Sequence, residues 1–96
     1  MFKTIMAKYF SCIIGAGEVT NAKPNAEPVL KVLAATGFKA ENSLVVGDMD
    51  IDILMGMNAG VRTCGVTWGN GTKRELMDAG ADFIINDIEE LITRMD

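Results

Sequence analysis

Histidine is absent from the 96 residues, and that one absence removes His-based acid-base catalysis, Ser-His triads and most zinc sites. No basic run exists either, and with a net charge of -4 the chain has no means of neutralising a phosphate backbone, so no nucleic-acid partner is expected. No apolar stretch approaches the length of a transmembrane helix, so no membrane span is expected. The opening MFKTIMAKYFSCIIGAG has two lysines before a short apolar run, but Lys8 and Tyr9 interrupt it and no small-x-small site follows. A signal peptide is not expected. The cysteines are two, Cys12 and Cys64, each within an apolar segment where a thiol behaves as a small hydrophobe; buried free thiols in a reducing cytoplasm are expected rather than a disulfide. There is no internal repeat, linker or low-complexity tract. With 49% hydrophobic and 23% charged residues, the chain reads as one globular domain over 1–96.

What is present is an alternation of helical and strand patterns. Phe2, Ile5, Met6 and Tyr9 fall at i, i+3, i+4 and i+7 with lysines opposite, which predicts an amphipathic helix. Phe10 to Ile14 reads as a strand. A polar loop holding Lys23-Pro24 follows, the proline pushing Lys23 toward extended geometry. Asn25 is placed to cap a helix that runs to Thr36, buries Val29, Leu30, Val32 and Leu33, and stops at Gly37 with Phe38 in a Schellman-type contact. After the central strand and its helix come a strand over Val61 to Val66 and a tight turn at Trp68-Gly69-Asn70-Gly71. Thr72 and Glu75 form a capping box. Phe83 to Ile85 reads as a short strand and Asp87 to Met95 as a last helix. The architecture implied is α/β, Rossmann-like, with three layers and a parallel sheet.

The stretch with chemical content is Leu44 to Asp52, LVVGDMDID. Its apolar start fits a strand buried on both faces, and it breaks at Gly47 into carboxylates on alternate positions before the helical pattern Ile51, Leu54, Met55 and Asn58. Asp48 then lies at a strand end and Asp52 in the first helical turn, outside the carboxyl end of the sheet where open α/β folds bind ligands. Two such anions repel, and a hard cation such as Mg2+ relieves this while taking one or two carboxylates plus waters and phosphate oxygens. Asp50 reads as a solvated N-cap. An EF-hand is excluded because Ile53 stands where Gly is needed and Ala59 where Glu is needed. No GxxxxGK[ST] spacing occurs, so the glycines around Asn70 read as a turn and Trp68 as a core or lid aromatic. The seven methionines read as core filling.

Taken together in order, Lys23-Pro24, Gly47-Asp48-x-x-x-Asp52, Asn58-Ala59-Gly60-Val61 and Val66-Thr67-Trp68-Gly69 resemble the C-terminal half of a haloacid dehalogenase (HAD) superfamily phosphatase. The similarity is to the phosphoglycolate phosphatase and beta-phosphoglucomutase-like branch. That resemblance implies phosphoryl transfer to a nucleophilic Asp and then to water, with Mg2+ as cofactor and a small phosphorylated metabolite as substrate. It implies that Asp48 is a metal ligand, that Asp52 holds the metal or its water, and that Lys23 is a catalytic residue facing the phosphate.

The resemblance also marks a departure. The family's nucleophile lies in an Asp-x-Asp-x-Thr motif on an earlier strand, a second motif supplies a hydroxyl, and an inserted cap chooses the substrate; none of these is found in the 96 residues. A core lacking its first two strands and cap is therefore expected, inactive by itself. Those strands belong between the one near Cys12 and the one ending at Asp48, so these two either close up side by side or expose edges that recruit a second copy or the N-terminal half. The alternative is a truncated, non-catalytic relative acting as a binding or interaction module. A receiver-like domain fits less well, since it needs a lysine after its acidic pocket and Lys23 comes first.

Overall fold

The structure, a computed structural model, describes residues 2–6, 11–15, 25–87 and 89–90. Five strands form one sheet in chain order: β1 (Phe2–Met6), β2 (Ser11–Gly15), β3 (Ser43–Gly47), β4 (Arg62–Val66) and β5 (Phe83–Ile85). β2 through β5 are parallel, with Cys12 opposite Leu44, Val46 opposite Cys64 and Cys64 opposite Phe83. Helices α1 (Glu27–Thr36), α2 (Asp50–Asn58) and α3 (Lys73–Asp78) make the crossovers. This is the α/β, Rossmann-like arrangement that the alternation predicts.

Side-chain alternation gives the sheet two faces. Strands laid down in chain order with right-handed crossovers put their helices on one face, and three helix contacts follow that rule. Val29 of α1 and Met55 of α2 join Ile13 and Val45 in one buried cluster, and Leu76 of α3 lies against Gly65 on the same face. Gly56 lets α2 approach β3 and β4 closely, since a Cβ there would meet Thr63 Cγ2 at 2.6 Å. The opposite face carries a second cluster, Cys12, Leu44, Val46, Cys64, Val66 and Ile85, with all its members on strands. Among the described residues the helices therefore form one layer on the sheet and not the two that a three-layer fold has. Neither cysteine is in a disulfide and both are 0% exposed, as their apolar surroundings predict.

Several expectations change. Phe2 to Met6 is not part of a helix but a strand antiparallel to β2, with Phe2 opposite Gly15 and Met6 opposite Ser11. An eight-residue amphipathic pattern has little helical stability alone, whereas an open strand edge offers a full ladder of hydrogen bonds. β2 and β3 pair directly along Ser11–Ile14, so of the two expected outcomes for the sheet the strands close up side by side. Leu30 is 49% exposed, because one residue advances 100° around a helix and carries it off the stripe of Val29, Val32 and Leu33. The N-cap of α1 is Ala26, while Asn25 Oδ1 accepts from the Glu27 N–H at 2.9 Å just before it. Gly37 has the expected left-handed φ of 76°, but the Phe38 N–H turns to Thr36 Oγ1 rather than to a helix carbonyl. Of the methionines, Met55 fills the core, whereas Met57 and Met77 are exposed. The segment around Lys23 and the last helix beyond residue 90 lie outside the described residues.

Candidate functional site

The site is built where β3 ends. Leu44, Val45 and Val46 are buried, and the strand stops at Gly47. A Cβ on Gly47 would collide with Asp52 Cβ; the missing side chain lets the first turn of α2 settle on the strand end. Asp52 is consequently 2% exposed, and its Oδ2 accepts from the Met49 N–H at 3.1 Å. Met49 is the N-cap of α2 and Asp52 its third residue, so the carboxylate satisfies a donor the helix leaves open and faces the positive end of the macrodipole. Asp50, expected as the cap, is instead the first helical residue, with Oδ1 accepting from the Ile51 N–H at 2.9 Å. Met49 already has the extended φ and ψ a cap needs, and Asp52 reaches back to its N–H.

Asp48 is held from elsewhere in the chain. Its Oδ2 accepts from the Asn70 N–H at 2.9 Å, and its carbonyl oxygen accepts from the Gly71 N–H at 2.8 Å. These donors belong to the β4–α3 turn, so the turn expected from Trp68-Gly69-Asn70-Gly71 folds over the end of β3. Trp68 on that turn is 52% exposed, which excludes a core role for it. The Thr72–Glu75 capping box forms in both directions at 3.1 Å and anchors the turn to α3. On the other side, Thr67 Oγ1 donates to Asn86 Oδ1 at 2.8 Å and ties it to the end of β5.

Asp48 thus follows the last residue of β3 and Asp52 packs over that residue from the first turn of α2, each carboxylate held by a different main-chain N–H. Lys23 is outside the described residues, so the structure does not place it. Among the described residues there is no cluster of three or more His, Cys, Asp or Glu side chains able to hold a metal. Two carboxylate donors nevertheless suit Mg2+, which takes one or two and fills the rest with water and phosphate oxygens. The donor set fits that ion and not a soft metal. A nearby cleft between α2 and α3, lined by Asp50, Leu54, Glu75, Asp78 and Ala79, lies beside the pair and not at it. Sequence reasoning missed the hold of the turn on Asp48: the donors are main-chain N–H groups, and the only signal was a density of glycine.

The chain is similar to known proteins over most of its length. The chain is 40% identical over 90 residues to pyrophosphatase PpaX of Oceanobacillus iheyensis, covering 94% of this chain and 42% of that protein. It is 36% identical over 87 residues to a phosphoglycolate phosphatase of Salmonella choleraesuis, covering 91% of this chain and 34% of the relative. The chain therefore spans about two-fifths or less of the length of these curated relatives. Among solved structures, a haloacid dehalogenase-like protein of Agrobacterium tumefaciens superposes with a TM-score of 0.71 at 29% identity, over 84% of this chain and 37% of that one. A hydrolase from Pseudomonas syringae gives a TM-score of 0.71 at 27% identity, over 77% and 34%. The family model for haloacid dehalogenase-like hydrolases matches residues 1–66, more than half of the chain and through the whole β3–α2 carboxylate segment. By sequence and by fold, this chain belongs to the haloacid dehalogenase-like hydrolases.

Proposed function

We propose that the chain is the C-terminal part of a cytoplasmic, Mg2+-dependent phosphomonoester hydrolase of the phosphoglycolate phosphatase-like branch, acting on a small phosphorylated metabolite. The observation that supports this reading is the placement of Asp48 just after β3 and of Asp52 in the first turn of α2, in a chain of this family. Asp48 and Asp52 would hold the cation, which when bound neutralises charge on the phosphoryl oxygens. Lys23 would supply a compact positive charge on the same phosphate. Relatives named for pyrophosphate and for phosphoglycolate support a phosphorylated small molecule as substrate. No helix among the described residues is long and apolar enough to cross a membrane.

The 96 residues contain no Asp-x-Asp-x-Thr, so this polypeptide alone lacks the covalent nucleophile and is expected to be inactive. Its partner is then the N-terminal half carrying that motif, or a second copy pairing through a strand edge. A strict monomer in light scattering over a wide concentration range argues against the second. The function is tested by assaying the chain with Mg2+ on an aryl phosphate, phosphoglycolate and pyrophosphate, alone and with the N-terminal half of a relative. No turnover alone and turnover on addition support the reading. Turnover alone that disappears in Asp48→Asn shows that the chain has its own nucleophile and overturns it.

A further inference from the structure

We propose that Gly69, Asn70 and Gly71 are positioning residues for Asp48, acting through their main chain and not their side chains. The inference rests on the reading of Asp48 as a cation ligand. Two consecutive N–H groups grip one residue: Asn70 holds the carboxylate at 2.9 Å and Gly71 the carbonyl at 2.8 Å. A half-buried aspartate at a strand end otherwise samples several rotamers, and the pair of bonds fixes both its side-chain torsion and the backbone beneath it. The glycines make room for this. A Cβ on Gly69 would collide with Asp48 Cβ and Oδ2, and one on Gly71 would collide with the Asp48 carbonyl oxygen. Neither has a positive φ, so space and not backbone conformation demands glycine at both positions.

A ligand set in one orientation before a cation arrives needs no ordering when it binds. Loss of such outer support typically weakens metal affinity 10- to 100-fold. The grip reaches across 22 residues of sequence, and β4 on one side of the turn and the capped start of α3 on the other serve as its frame. Trp68, the single tryptophan, adjoins Gly69 and gives the site an optical signal.

The test is a titration of the 96-residue chain with Mg2+ alone, followed by thermal midpoint and by Trp68 fluorescence. Gly69→Ala and Gly71→Ala should each weaken the apparent Mg2+ affinity by about tenfold or more. Asn70→Ala keeps its N–H and should titrate like the parent. Gly37→Ala, strained at φ 76° but far from β3's end in the chain, should lower the midpoint and keep the Mg2+ response. Should the glycine variants not fold, amide resonances of Asn70 and Gly71 in the parent should move with the same Mg2+ dependence as the Asp48 carboxyl carbon. Glycine variants that bind as the parent does, an Asn70→Ala as weak as Gly71→Ala, or amides indifferent to Mg2+ overturn the positioning role. In those cases Asp48→Asn still loses the response and the cation reading stands. A parent without any Mg2+ response, or an Asp48→Asn identical to it, overturns both.

Discussion

At the scale of single residues, Gly47 carries more of the site than its missing side chain suggests. It separates the buried strand from its carboxylates, and the space above it is filled by Asp52. Gly47→Ala should therefore destabilise the chain by roughly 1–3 kcal/mol, read as a lower urea midpoint at unchanged m. A neutral result would show that α2 does not settle on the strand end. Asp48 and Asp52 were legible in the sequence because their spacing follows from strand-to-helix geometry. Asp50 and Leu30 were misread for a matching reason. Which neighbouring position becomes a cap, or faces the core, turns on a rotation of 100° that only the docked helix fixes.

Among the elements, α3 shows how much a short helix depends on its ends. Six residues make a marginal helix, and the reciprocal Thr72–Glu75 box satisfies its first donors while pinning the turn that grips Asp48. Thr72→Ala should cost about 1 kcal/mol and speed amide exchange at Glu75, and Thr72→Ser should restore most of both. The ion pairs Glu27–Lys31 and Arg74–Asp78 are exposed i,i+4 contacts. Lys31→Ala should therefore change stability by less than about 0.5 kcal/mol, with a larger loss in denaturant melts showing that α1 relies on its surface charge. Periodicity identified α1, α2, α3 and the parallel strands, each with enough residues or punctuation to decide the period. It failed at Phe2–Met6, where a helical spacing too short to be stable alone gave way to pairing with the partner strand.

For the molecule as a whole, the two cysteines report on the sheet. Cys12 and Cys64 share one buried face but lie on β2 and β4 with β3 between them, so they cannot be joined without moving strands. Neither thiol should react with a maleimide in the native chain, both should react in urea, and the thermal midpoint should not respond to reductant. Fast native labelling of either would show that the strand-only cluster opens readily. The apolar segments around them forecast buried thiols; they were silent on which face the two share.

The sequence by itself determined the α/β class, the positions of the parallel strands, the capping of α3 and the family, because each depends on residue type at short spacing. It also determined that Asp48 and Asp52 share the end of one strand, since four residues of helix geometry bring them there. Tertiary structure alone decided the rest. The direct pairing of β2 with β3, the strand at Phe2–Met6 and the grip of Asn70 and Gly71 on Asp48 join residues distant in the chain through backbone hydrogen bonds. Every residue but proline offers the same N–H and C=O, so no residue type announces such bonds in advance.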